Sequence, residues 1–189
     1  MESLMQIRRA EPNDTPLIAA IYNQGIEERS STFETTPRIP NDMIERLQHA
    51  GRYPVLVVLD ESNEVVGWAS LSSYRARACY DGIADFSIYM SRDARGRGLG
   101  KQLLEALLKE AETLGFWKVL SRIFASNHAS LALCEASGFR QVGFYEKHAC
   151  LEGLWIDCVI VEKLFPANQT TDALAAPPIR TEAGGLSGC

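Results

Sequence analysis

The amino-acid sequence predicts an α/β protein, with one mixed sheet and helices on both of its faces. Three observations predict it. Short apolar runs of strand length interleave with longer runs of helical periodicity, in the order strand, two helices, three strands, helix, strand, helix, two strands. One strand-to-helix junction is a basic, glycine-rich turn, Arg95-Gly96-Arg97-Gly98-Leu99-Gly100-Lys101. The 189 residues, 46% of them hydrophobic, suffice for one sizeable core.

Each element has its own signal. Gln6 to Arg9 reads as a short first strand. Thr15 or Asp14 can cap the helix that follows, with Pro16 in its tolerant first turn. Leu17, Ile18, Ile21 and Tyr22 then recur at helical spacing towards Glu28. Arg29 to Pro40 is polar, punctuated by Pro37 and Pro40, and reads as a loop carrying the isolated aromatic Phe33. Asn41 can cap a second helix with Met43, Ile44 and Leu47 on one face. Pro54 to Leu59 is almost continuously apolar, as in a buried strand. The turn Asp60 to Glu64 leads it back through Val65 to Leu71, a hairpin.

Ser72 to Tyr80 is polar and holds Arg75 and Arg77. Ile83 to Met90 is the strand that enters the glycine turn, and Leu99 to Leu114 the amphipathic helix that leaves it, ended by Gly115. Lys118 to Phe124 is a further strand. Asn127 can cap a helix through Ser137, closed by Gly138. Gln141 to Lys147 and Trp155 to Glu162 form a last hairpin around Glu152-Gly153. Residues 1–165 are thus expected to make one domain. Residues 166–189, rich in Ala, Thr, Pro and Gly, are expected to be a tail outside the core.

Composition narrows the function. A net charge of −5 argues against general nucleic-acid binding, so the basic turn is a local feature of an acidic chain. No apolar run approaches the ~20 residues needed to span a bilayer, and Met1 to Ala10 lacks the apolar centre of a signal peptide. Cys79, Cys134, Cys150, Cys158 and Cys189 form no Cys-x-x-Cys pair, and His49, His128 and His148 are scattered. No metal-ligand spacing results, and reduced thiols in a cytoplasm are the simplest account.

The glycine turn carries the chemistry. At a helix N-terminus several N–H groups lack partners and lie at the positive end of the dipole. Glycines let the backbone approach a ligand, and the arginines and lysine add charge, which together describe a phosphate or pyrophosphate pocket. The spacing fails two familiar patterns. A Walker A loop would need Gly where Arg95 stands and Ser or Thr where Gln102 stands. A dinucleotide fingerprint would need its third glycine one residue later. Arg95-x-x-Gly98-x-Gly100 instead resembles the pyrophosphate loop of the GNAT N-acetyltransferases, which hold acetyl-coenzyme A there. A tight basic turn without a ligand is the other reading of this stretch taken alone.

Further motifs sharpen the resemblance. Phe33-Glu34-Thr35, Tyr74-Arg75-Ala76-Arg77, Cys79-Tyr80-Asp81, Ser87-Ile88-Tyr89, Asn127-x-x-Ser130, Gly138-Phe139 and Trp155-x-Asp157 fall in series. Together they resemble the phosphinothricin N-acetyltransferases and their relatives that acetylate methionine sulfoximine or arsinothricin. Gly115-Phe116-Trp117-Lys118 and Ser121-Arg122-Ile123-Phe124 look most like the arsinothricin-resistance branch. The resemblance spans roughly Ile7 to Leu164.

It implies a mostly antiparallel sheet splayed between the fourth and fifth strands, Ile83–Met90 and Lys118–Phe124, with the acyl-pantetheine arm in the gap. It implies acetyl-coenzyme A as cosubstrate, a small amino acid as acceptor, and a homodimer with the cleft near the interface. On the cofactor side it implies Arg95, Gly96, Arg97, Gly98, Gly100 and Lys101 around the pyrophosphate. Ile88 and Met90 would pair main chain with the pantetheine amides, and Asn127 and Ser130 would touch the arm, helix capping being the plainer role of both.

An α-ammonium must lose a proton before it attacks a thioester. The family's glutamate base falls at Asp85, one methylene shorter and so roughly 1 Å further back, a distance that can cost on the order of 10²-fold if no water bridges it. The structural alternative for Asp85 is an ion pair with Arg75 or Arg77. The family's general-acid tyrosine falls at Cys134, for which burial on an apolar helix face is the plainer account, so no general acid is assigned. Arg75 and Arg77 are the expected anion-binding residues, since a guanidinium meets carboxylate, phosphinate or arsinate in a bidentate way. Phe33 would wall the pocket or simply pack on the core. Two other functions stand beside acetylation of a small amino acid: acetylation of a peptide or protein amine, and acyl-coenzyme A binding without turnover.

Overall fold

In the computed structural model the described residues are 6–169. They form one sheet in the order β1-β2-β3-β4-β5-β7-β6. The strands are β1 (Gln6–Arg9), β2 (Val55–Leu59), β3 (Val65–Ser73), β4 (Ile83–Met90), β5 (Lys118–Phe124), β6 (Arg140–Leu151) and β7 (Leu154–Leu164). The helices are α1 (Thr15–Glu28), α2 (Pro40–Gln48), α3 (Leu99–Thr113) and α4 (His128–Ala136). Neighbouring strands run antiparallel except β4 and β5, which are parallel. The mixed, mostly antiparallel α/β architecture expected from the sequence is therefore the one observed.

Strand alternation divides the apolar residues between two cores. Leu56 and Val58 of β2, Ala69 and Leu71 of β3, and Ala84 and Phe86 of β4 meet the Leu99, Leu103, Leu104 and Leu107 stripe of α3. Val55, Val57 and Leu59 point the other way, joining Trp68 and the Ile18, Ile21, Tyr22 and Ile26 face of α1. A buried aliphatic side chain contributes roughly 1.5–3 kcal/mol, so both faces of the sheet are fastened independently.

Two helix starts differ from expectation. Asp14 precedes α1 but makes no capping bond to it. Its carboxylate instead accepts Arg8 Nη1 and Nη2 at 2.7 and 2.9 Å and the Glu11 N–H at 2.7 Å. The Arg8 hydrogen bonds hold it below the usual aspartate range. The second helix begins at Pro40, whose ring suits a first helical position; Asp42, not Asn41, closes the turn by accepting the Ile39 N–H at 3.1 Å.

The parallel pair gives the fold its opening. Pairing of β4 with β5 covers only Ile83↔Lys118, Ala84↔Val119 and Asp85↔Leu120. Beyond Asp85 the strands part, although β3 stays with β4 to Met90 and β7 stays with β5 to Phe124. Gly82 lies at the root. Its carbonyl accepts the Trp117 and Lys118 N–H groups at 2.8 and 3.2 Å, and a Cβ there would overlap the Trp117 ring.

The last hairpin is longer than its sequence signal. In β6 the register slips between Tyr145 and Ala149, a bulge that holds Lys147 at φ 47°. The Lys147 N–H donates to Asp157 Oδ1 at 2.7 Å. β6 is a sheet edge, and Phe144, Tyr145, Leu154 and Trp155 of this hairpin are exposed. Pro166–Asn168, the described start of the expected tail, is fastened: Asn168 Nδ2 donates to the Glu112 and Phe116 carbonyls, each at 2.8 Å. The remainder of that segment, residues 170–189, lies outside the described residues.

Candidate active site

Where β4 and β5 part, the space between them holds two adjoining cavities of about 390 and 330 Å³. Ser31, Ile88, Tyr89, Asn127 and Ser130 line both.

The smaller cavity ends at the glycine turn, against Arg95, Gly96, Gly98, Gly100 and Lys101. Gly96 and Gly98 have φ of 74° and 78°, and no atom lies within 4 Å of where a Cβ would stand on either. The backbone N–H groups of Arg95 to Gly98 have no acceptor among the described residues. The first N–H groups of α3 follow them, unpaired as at any helix start. This is a cradle for an oxyanion. Arg95 itself is committed elsewhere: its guanidinium pairs with Glu28 at 3.0 Å and its Nε donates to the Met90 carbonyl at 3.2 Å. Its contribution to the cradle is therefore main chain. Arg97 is exposed beside the turn and Lys101 stands 3.8 Å from Glu105. From Phe86 to Met90 one edge of β4 is unpaired, which leaves main-chain groups beside Ile88 and Met90 for an extended amide-bearing chain. Asn127 does cap α4, its Oδ1 accepting the Ser130 N–H at 3.1 Å, while its Nδ2 donates to the Ser30 carbonyl at 3.2 Å.

The larger cavity holds Asp85. The residue follows Ala84 and precedes Phe86, both in the α3-side core, so alternation turns Asp85 to the other face. Leu120 faces it in the register, and Arg122 lies two residues on, so Arg122 emerges on that same face across the opening. Arg122 Nη2 donates to Asp85 Oδ1 at 3.0 Å. Burial raises the Asp85 carboxyl above the ordinary aspartate range, against the opposing pull of Arg122. A carboxylate so placed is a better proton acceptor than one in water.

Cys134 lines the cavity but is buried in the α3-side core, and burial pushes its thiol up to about 12. A thiol that weak as an acid holds its proton at neutral pH. Proton transfer from it to an ordinary thiolate, with a reference pKa of ~8.5, is uphill. The Tyr89 hydroxyl is likewise raised by burial and stays protonated; Tyr22, edge-on to it at 4.7 Å, bonds Thr32 Oγ1 at 3.2 Å.

The segment after α1 walls the cavity through Ser31, Thr32, Phe33 and Glu34. Phe33 packs on Phe124 with ring centroids 4.6 Å apart, so it serves the core and the wall at once. Arg29 Nη2 and Nε bind Glu152 of the β6–β7 turn at 2.8 and 2.9 Å, fastening this segment to the last hairpin. The β6 bulge brings His148 to the wall, 6.3 Å from the Phe33 ring.

The structure thus gathers Asp85, Phe33, Ile88, Met90, Arg95, Gly96, Gly98, Gly100, Lys101, Asn127 and Ser130 around one cleft. It does not bring Arg75 and Arg77 there. The chain leaves the sheet after Ser73, both arginines are exposed, and neither lines either cavity. Arg75 instead stacks over Tyr74 and Tyr80, at 5.0 and 5.8 Å. Accordingly the ion-pair partner of Asp85 is Arg122, not Arg75 or Arg77. No local motif marks Arg122 or His148 as a site residue; for Arg122 the one signal in the sequence is the parity of its strand position relative to Asp85.

A family model described as "Acetyltransferase (GNAT) family" matches residues 18–139. The chain belongs to that family. Similar proteins agree on the chemistry. An L-methionine sulfoximine/L-methionine sulfone acetyltransferase of Pseudomonas aeruginosa is 32% identical over 161 residues, 82% of this chain and 92% of the relative. A phosphinothricin N-acetyltransferase of Alcaligenes faecalis is 31% identical over 169 residues, 87% of this chain and 85% of the relative. Among solved structures, a phosphinothricin acetyltransferase of Sinorhizobium meliloti in complex with acetyl-coenzyme A superposes with a TM-score of 0.81 at 32% identity, covering 85% of this acetyltransferase and 88% of that chain. A ribosomal-protein-alanine N-acetyltransferase of Brucella melitensis superposes at 0.80 with 30% identity, covering 85% and 99%.

Proposed function

We propose that this acetyltransferase transfers an acetyl group from acetyl-coenzyme A to the α-amino group of a small glutamate- or methionine-like amino acid. The class we infer includes phosphinothricin, methionine sulfoximine and arsinothricin, so the enzyme confers resistance to such compounds. The observation that carries the reading is the cleft itself: an oxyanion cradle at one end and, where β4 and β5 part, a half-buried carboxylate in a cavity of about 390 Å³.

The open positive-φ glycines and free N–H groups fit the pyrophosphate of acetyl-coenzyme A. Bound there, acetyl-coenzyme A supplies an activated thioester. Asp85 accepts the proton of the acceptor's ammonium, directly or through one water, and so makes the amine a nucleophile. Cys134 keeps its own proton, which leaves solvent as the acid. Phe33 and Tyr89 wall the acceptor. We place the enzyme in the cytoplasm, where thiols stay reduced; no helix of the described residues is long and apolar enough to cross a membrane.

The test is release of free thiol from acetyl-coenzyme A with phosphinothricin, arsinothricin, methionine sulfoximine, methionine sulfone and an alanyl peptide offered in parallel. One strongly preferred amino acid is the expected result. Preference for the peptide would establish the second reading, which the likeness to the ribosomal-protein-alanine enzyme favours. Acetyl-coenzyme A binding without turnover on any acceptor would leave a non-catalytic acyl-coenzyme A binder.

We also infer a homodimer formed through the last hairpin. Phe144 and Tyr145 of the edge strand β6 are 53% and 44% exposed, Leu154 and Trp155 at the start of β7 are 70% and 62% exposed, and exposed apolar side chains on an edge hairpin invite a partner. Sedimentation velocity is expected to show a dimer that Leu154→Asp and Trp155→Glu together convert to monomer. A wild-type monomer at tens of micromolar would sink the idea.

A further inference from the structure

We propose that Arg122 is the residue that recognises the acceptor's α-carboxylate, and that the Asp85–Arg122 pair is what restricts this enzyme to α-amino acids. The inference rests on the function proposed above and goes further by naming the group read.

Arg122 is the only lysine or arginine among the described residues lining the larger cavity. Glu34, an acidic wall residue, is already neutralised by Arg38 at 2.7 Å. Asp85 and Arg122 therefore stand as one negative and one positive group, 3.0 Å apart, on facing strands of the cleft. An α-amino acid carries one ammonium and one carboxylate on a single carbon. Laid against the pair, it sets its ammonium on Asp85 and its carboxylate on Arg122, each charge meeting its opposite without separating the protein pair.

Capacity remains for this contact. Of the five N–H donors of a guanidinium, only one, on Nη2, is bonded among the described residues. The side chain is 42% exposed, against 17% for Asp85, so it reaches further into the opening than the base does. Fixing the carboxylate also fixes the amine, because one carbon joins them. Arg122 thereby places the nucleophilic nitrogen at Asp85, which matters most where the base is a short aspartate.

The experiment compares methionine sulfone with its decarboxylated amine, 3-(methylsulfonyl)propylamine, as acceptors for wild type, Arg122→Met, Arg122→Lys and Arg75→Ala. Acetyl-coenzyme A affinity serves as the folding control. Wild type is expected to favour the amino acid. In Arg122→Met the ratio of kcat/KM values, amino acid over amine, is expected to fall on the order of 10- to 100-fold, the weight of a charge-assisted hydrogen bond to a carboxylate. Arg122→Lys is expected to restore part of that ratio, and Arg75→Ala to leave it unchanged. An equal loss on both acceptors in Arg122→Met would overturn the proposal, because Arg122 would then serve only Asp85; so would a selective loss in Arg75→Ala instead. If wild type turns over neither acceptor, calorimetric binding of methionine sulfone in the presence of coenzyme A separates the two claims. Binding that Arg122→Met abolishes supports the carboxylate site while acetylation of this acceptor fails; binding indifferent to Arg122 overturns it.

Discussion

Asp85→Asn is expected to lower kcat by roughly 10²- to 10⁴-fold, the span of general base catalysis, with acetyl-coenzyme A affinity nearly unchanged. The amide keeps the volume of the side chain and removes the proton acceptor. In the wild type, the acid limb of kcat/KM is expected above the ordinary aspartate value of ~3.9, because burial raises this carboxyl more than Arg122 lowers it. That limb should vanish from the residual activity of the variant. Turnover that survives the substitution would move the base elsewhere.

The same group makes a prediction for stability. An acid whose pKa is higher in the folded than in the unfolded state binds its proton more tightly when folded. Its ionisation therefore costs stability as pH rises from the unfolded value through the folded one, and the cost is absent in acid. Asn at this position imitates the protonated form. Thermal melting is expected to show the Asp85→Asn protein at least as stable as wild type at pH 7, with the difference shrinking towards acid pH. A large destabilisation at pH 7 would mean that the ion pair with Arg122 is chiefly structural.

Gly98→Val is expected to weaken acetyl-coenzyme A binding by at least ~10-fold, from strain of about 1–3 kcal/mol at a left-handed position and from a side chain standing in the cradle. The residue sits at φ 78° with nothing within 4 Å of its would-be Cβ. The protein has room for the added atoms; a bound pyrophosphate does not. Gly153, at φ 86° in the β6–β7 turn and equally open, provides the control. Gly153→Val carries the same backbone strain away from the cradle, so it should lower the melting temperature without a matching loss of affinity. Calorimetric titration of acetyl-coenzyme A into both variants decides it: unaltered binding to Gly98→Val would remove the pyrophosphate assignment.

The strands that frame the cleft were legible residue for residue, Ile83–Met90 and Lys118–Phe124, because each is an apolar run bounded by turn residues. The cradle was legible for a similar reason: glycine spacing before a helix is a local property. What the sequence concealed is non-local. Arg75 and Arg77 stand one residue apart, and in a strand they would share a face, but β3 ends at Ser73 and the alternation has nothing to act on. Arg122 lies inside an apolar run, and its meaning appears only when Leu120 is set opposite Asp85. His148 reaches the cleft through a slip of register that no periodicity announces. Asp14 has a capping residue's chemistry, yet Arg8, six positions earlier, claims its carboxylate.

Gly82 has a reach out of proportion to its size. β4 and β5 pair with each other beside it and diverge beyond Asp85, each still held by its outer neighbour, so they form the two arms of a V with Gly82 and Trp117 at the fulcrum. A small change of angle at the fulcrum is magnified along each arm, and the two cavities lie in the gap between the tips. The width of that gap is thus set from a place that lines neither cavity.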